Sequence, residues 1–138
     1  MEIKLAILLD TSFIIALYNI NDVHHKKARE LWEKIEKEKY GKAFISDYIF
    51  DELIAVTSRK INKERAIILC EQILKSIPIV NIDRHMFDES WNFFKETKTN
   101  LNFTDCTNLV LLSLLGSNKL ATFDKGFNGI KDLEIVNV

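Results

Sequence analysis

The stretch IKLAILLDTSFIIALY, Ile3 to Tyr18, sets a carboxylate in the middle of an apolar run. Burying an aspartate is costly unless something compensates it. A membrane-targeting reading fails on length and charge. Lys4 precedes the run as in a leader peptide, but the uninterrupted part is only Leu5 to Leu9. A bilayer-crossing helix needs about 20 largely apolar residues, and a central Asp costs it about 2.5–3.5 kcal/mol. A short, continuous apolar run instead suits a strand covered on both faces, as in the middle of a parallel sheet. The pattern predicts a strand over Lys4–Leu9, then a turn and a short helix, with Asp10 at the strand's carboxyl end.

The rest of the chain alternates in the same sense. Ala28, Leu31, Trp32 and Ile35 fall at helical spacing and predict a helix over His24–Lys39. KAFI, Lys42–Ile45, is a short strand. Asp47–Lys60 is a helix with Ser46 as N-cap, and Lys63–Ser76 is another, entered through Asn62. IPIVNI, Ile77–Ile82, is a strand whose proline assigns it to a sheet edge. Asp83 caps a helix to about Lys98. Thr104 caps a nearly all-apolar helix, Asp105–Leu115, which Gly116 ends. KLATF, Lys119–Phe123, and LEIVNV, Leu133–Val138, are the last strands. About five strands separated by helices predict an α/β fold, a mainly parallel sheet between helical layers. With 138 residues the chain is read as one domain, 1–138, large enough to bury its own core.

Charge and cysteines narrow the function. Nineteen basic against twenty acidic side chains exclude a general basic field for nucleic acid, leaving only local patches. Cys70 and Cys106 sit in separate apolar helices, which argues against a disulfide and for a reducing, cytoplasmic setting. Four acids then stand out. Asp10 and Asp124 each follow a strand directly, and in open α/β sheets ligands bind beyond the strands' carboxyl ends. Each aspartate is also placed to cap a following turn. Glu52 lies about 60° from the apolar face of Ile49, Leu53 and Val56, whereas Asp51 points to solvent. Asp105 and Asn108 occupy the polar end of the apolar helix, where an acid also favours the helix dipole. If the four acids converge, they need a counter-ion. Hard oxygen donors suit Mg²⁺ or Mn²⁺, and such a site suits a phosphodiester.

LLDTSFIIAL, ISDYIFDEL, NFTDCTNL and ATFDKGF, in this order, resemble the four acidic motifs of the PIN domain, and NDVHHKKA resembles a segment of its small VapC-type toxins. The resemblance implies a three-layer α/β/α sandwich and metal-dependent endoribonuclease activity that leaves a 5′-phosphate and a 3′-hydroxyl. Carried over, Asp10, Glu52, Asp105 and Asp124 are the catalytic and metal-binding positions: Asp10 and Asp105 hold the principal ion, Glu52 holds or orients the nucleophilic water and Asp124 completes the cluster. Thr11 and Thr104 match hydroxyl positions beside those acids. Asn108, neutral where relatives carry another acid or a small polar residue, leaves one metal or two open. The resemblance also implies an RNA substrate, a cognate antitoxin and a homodimer.

Other residues are weaker candidates. Arg59 and Lys60, with Lys63 and Arg65, form the best local basic cluster and are candidates for phosphate contact. Adjacent His24 and His25 point about 100° apart on a helix, so capping, packing or a subunit contact suits them better than a metal. Trp32, Trp91 and Phe93 fit helix cores better than base-stacking platforms. Alternatives are a PIN nuclease of RNA maturation or decay, a silent RNA-binding module, or a phospho-receiver. The last normally carries an acid pair at its first strand, and LLDTS has one.

Overall fold

The computed structural model describes residues 6–137. Strands and helices alternate as β1 (Ala6–Leu9), α1 (Thr11–Tyr18), α2 (His25–Glu36), β2 (Lys42–Ser46), α3 (Asp47–Lys60), α4 (Lys63–Ser76), β3 (Ile79–Val80), α5 (Arg84–Glu96), α6 (Phe103–Leu114), β4 (Lys119–Ala121) and β5 (Glu134–Val136). The sheet order is β3-β2-β1-β4-β5 and every pairing is parallel. The apolar run therefore forms the central strand, and Ile7, Leu8 and Leu9 are fully buried. Lys4, Leu5 and Val138, also expected in strands, lie outside the described residues.

The strand order places the site. From β1 the chain steps outward to β2 and β3, then returns to put β4 on the other side of β1. Right-handed crossovers in opposite directions cover opposite faces, which gives the α/β/α sandwich. The reversal creates a crevice beyond the carboxyl ends of β1 and β4. Those strands pair directly, Leu9 opposite Ala121, and the Asp10 amide donates to the Ala121 carbonyl at 3.0 Å.

Locally encoded features match expectation. Ser46, Asn62 and Asp83 accept from the amides of Ile49, Arg65 and Met86. Helices α3 and α4 have the predicted bounds. β3 is an edge strand, although only Ile79 and Val80 pair. Both cysteines are free and buried. Two expectations need correction. The cap of α6 is Asn102, not Thr104: Asn102 and Asp105 form a reciprocal capping box, so the helix starts earlier, at Phe103. Trp91 is not a core residue. It is 48% exposed on the outer face of α5, whereas Trp32 and Phe93 do pack against the core. Helical periodicity locates a stripe, but it does not say whether a layer lies over it. Among the described residues, no helix is long and apolar enough to cross a membrane.

Candidate active site

Asp10 sits where β1 turns into α1. It is 4% exposed, and its side chain makes no capping bond to α1, so capping does not explain it. Its carboxylate turns into the crevice. Oδ2 accepts from Thr122 Oγ1 at 2.7 Å and from Ser12 Oγ at 3.0 Å, and Oδ1 accepts from Asn108 Nδ2 at 3.4 Å. Sequence reasoning missed Ser12 and Thr122 as holders of this carboxylate. Thr122 also accepts from the Asp124 amide, and Ser12 from that of Phe123, so two hydroxyls tie the ends of β1 and β4 together. Burial holds the Asp10 carboxyl above its usual range, with the hydroxyls of Thr122 and Ser12 opposing the rise.

Asp105 stands in the first turn of α6, its Oδ2 accepting from the Asn102 amide at 3.0 Å. Its carboxyl is pushed up to about 7, first by burial and then by the negative charges of Asp10, Asp124 and Glu52. One electrostatic field thus links all four acids, contributed by the ends of β1 and β4, by α3 and by α6. Glu52 is half-buried and accepts a short hydrogen bond from Thr11 Oγ1. Asp124 is exposed and accepts from the Gly126 amide at 2.8 Å, so the capping alternative does describe its resting contact. Thr104 lines an open cleft beside Glu52, together with Asp47, Tyr48 and Asp51. Asn108 is fully buried, and its Oδ1 has no hydrogen-bond partner.

Among the described residues, the acidic corner has no basic side chain paired to it. Neither ion pair found among the described residues, Arg84–Asp88 or Lys119–Glu134, involves the four acids. Among the described residues, no three His, Cys, Asp or Glu side chains are gathered closely enough to hold an ion as they stand. Each carboxylate accepts hydrogen bonds of its own, and like charges at low dielectric repel. The donor set nevertheless fits a hard divalent cation. It offers carboxylate oxygens, the orphaned Asn108 Oδ1 and two carboxyls that burial biases toward protonation.

The remaining candidates lie elsewhere. Arg59 and Lys60 close the last turn of α3, roughly 12 Å along the helix beyond Glu52. His24 stacks flat on Phe123, with centroids 4.5 Å apart and planes 1° apart, and His25 Nδ1 pairs with the Ala16 carbonyl at 2.8 Å. His24 thus packs on a ring, one of the roles the sequence left open, and His25 links the start of α2 to α1.

The PIN domain family model matches residues 7–133. No curated protein matches the sequence. Among solved structures, the Mycobacterium tuberculosis VapC20 toxin, which cleaves the sarcin–ricin loop, is similar with a TM-score of 0.82 at 21% identity, over 96% of this chain and 98% of that one. VapBC2 from Rickettsia felis, bound to promoter DNA, gives 0.72 at 16% identity, covering 96% and 98%. A toxin–antitoxin complex from Klebsiella pneumoniae gives 0.66 at 21%, covering 94% of each chain. At these identities the likenesses establish a shared fold.

Proposed function

The chain belongs to the PIN-domain family, and on that premise we propose that it is a Mg²⁺- or Mn²⁺-dependent endoribonuclease, the toxin of a type II toxin–antitoxin pair. The observation that supports this reading is that the negative charges of Asp10, Glu52 and Asp124, from separate elements, all act on the Asp105 carboxyl, with no Lys or Arg paired to the four acids among the described residues. When bound, a divalent cation supplies charge neutralisation and Lewis acidity there. Asp10 and Asp105 would hold it, Asp124 would complete the set, and Thr11, Thr104 and Asn108 would line the site. Thr122 and Ser12 fix the Asp10 rotamer by hydrogen bonds to Oδ2. Glu52 orients the attacking water and takes its proton. Water adds to phosphorus, the P–O3′ bond breaks and the leaving oxygen is protonated, giving a 5′-phosphate and a 3′-hydroxyl.

The partner reading rests on the VapBC and toxin–antitoxin neighbours. Ile61, Ile67, Ile68 and Leu74 of the α3–α4 hairpin are 45–56% exposed and offer an antitoxin apolar surface to cover. The reading also takes residues 1–138 as one cytoplasmic nuclease domain that forms a homodimer, with Arg59 and Lys60 as phosphate contacts. The test is incubation with total RNA and mapping of cut ends. Cleavage should require Mg²⁺ or Mn²⁺, stop in chelator and return when metal is restored. Cutting that persists in excess chelator refutes the metal mechanism.

A further inference from the structure

Helix α6 is mostly apolar, yet it buries a carboxamide. Asn108 is fully hidden from solvent, and its Oδ1 is the one buried side-chain oxygen or nitrogen without a hydrogen-bond partner among the described residues. A buried carbonyl left unpaired is costly, so something must offset it. The other end of the amide is engaged, but weakly. Nδ2 donates to Asp10 Oδ1 at 3.4 Å, which is long for an N–H···O bond. That contact fixes which way the amide faces, because turning it over would set oxygen against a carboxylate oxygen. It leaves Oδ1 uncompensated. The neighbouring hydroxyls do not reach it: Thr11 donates to Glu52, Ser12 and Thr122 hold Asp10, and Thr107 donates to the Thr104 carbonyl. Asp105 stands three residues earlier on α6, so its carboxyl and the amide are neighbours on one helix face. Oδ1 therefore belongs to an amide flanked by Asp10 and Asp105, the two acids assigned to the ion.

We propose that Asn108 Oδ1 is a direct ligand of the divalent cation, so that one amide both orients Asp10 through Nδ2 and supplies a neutral oxygen to the ion. The proposal rests on the metal-dependent nuclease reading of the four acids. Hard cations such as Mg²⁺ and Mn²⁺ accept neutral carbonyl oxygens alongside carboxylates. A neutral donor also suits this crevice. It adds a ligand without adding to the mutual repulsion of Asp10, Glu52, Asp105 and Asp124, which already act on one another. A purely orienting role would use Nδ2 alone and leave the buried carbonyl unexplained.

The test measures metal binding rather than cleavage. Asn108→Asp and Asn108→Leu both remove the Nδ2 donor, but only Asn108→Asp keeps an oxygen where Oδ1 stands. Mn²⁺ is titrated into the full chain without RNA and followed by electron paramagnetic resonance. Asn108→Leu should bind Mn²⁺ about 10–100-fold more weakly, and Asn108→Asp at least as tightly as the parent. Equal weakening in both variants would mean that only the orienting bond matters, and would overturn the proposal. Parental affinity in Asn108→Leu would overturn it too. Should either variant not fold, electron–nuclear double resonance on the Mn²⁺-loaded parent decides. With asparagine carrying ¹³C at Cγ, the parent should show a strong ¹³C coupling that Asn108→Ala lacks; a parent without that coupling has no such ligand. Metal-dependent RNA cutting with unchanged Mn²⁺ affinity in Asn108→Leu would refute the ligand and leave the nuclease reading standing. The expected Mn²⁺ affinities in a protein that never cuts RNA would do the reverse.

Discussion

Asp10 and Asp47 occupy equivalent positions, each one residue past a parallel strand and beside the start of a helix, yet they do different work. Asp47 Oδ1 accepts from the Ile82 amide at 3.0 Å and tethers the loop after β3. It is half-exposed and structurally accounted for. Asp10 is buried, held by three side-chain donors and close enough to Asp105 to raise that carboxyl. The difference lies in strand order. β2 ends beside the edge strand β3, whereas β1 ends at the reversal point, where two crossovers diverge and leave a crevice. An aspartate after a strand is therefore only a candidate; topology decides whether it ties a loop or faces a ligand.

The sharpest way to break this comparison is to neutralise each member. Asp10→Asn should lower RNA cleavage by about a thousandfold or more, the loss of several kcal/mol of charge stabilisation. Asp47→Asn should stay within about tenfold of the parent, its effect confined to loop stability. Equal losses in both variants, read from initial cleavage rates, would erase the distinction. Thr122→Val keeps the side-chain shape but removes the 2.7 Å bond to Asp10. Cleavage and Mn²⁺ affinity should each fall about 10–100-fold, the usual effect of losing a group that orients a ligand.

A smaller effect appears without metal. The Asp105 carboxyl is pushed from 3.8 to about 7 on folding, so the folded state holds that proton more tightly than the unfolded state does. This group's contribution to stability is therefore greatest below about pH 4, declines as pH rises, and levels off above about 7. In EDTA, the melting temperature should fall between pH 5.5 and 8. Asp105→Asn should shrink that fall, whereas Asp47→Asn should leave it unchanged. The smallest expected effect is at the β2 end. Ser46→Ala removes the α3 cap and should cost about 1 kcal/mol in urea unfolding, with cleavage rates preserved.

Most cap signals in the chain act locally and are legible in the sequence. Ser46, Asn62 and Asp83 cap through amides three residues ahead, and the ends of α3 and α4 followed from them. At α6 two equally local signals compete. The spacing of Asn102 and Asp105 is that of a capping box, but the hydroxyl of Thr104 drew the assignment two residues late. Asp10, Asp124 and Asp105 were legible as strand-end and helix-end positions, and Glu52 by its place beside the apolar face of α3. Ser12 and Thr122 were not identified as their supports, because the Ser12–Thr122 contact spans 110 residues and depends on β1 pairing with β4. Trp91 misled for a related reason: periodicity assigned it to an apolar stripe, and only the packing of α5 left that stripe in water.

By itself, the amino-acid order determined which segments are strands and helices, and which carboxylates stand at their ends. Those properties depend on neighbours a few residues apart, whose spacing and hydrogen-bonding groups act within one turn or one strand. Which ends meet was decided only in the folded molecule. The return from β3 across to β4 brings Thr122 onto Asp10 and sets the α6 acid into the same field. That gathering is a matter of sheet order, and the free energy of burying the central strand holds it in place against the repulsion of its charges.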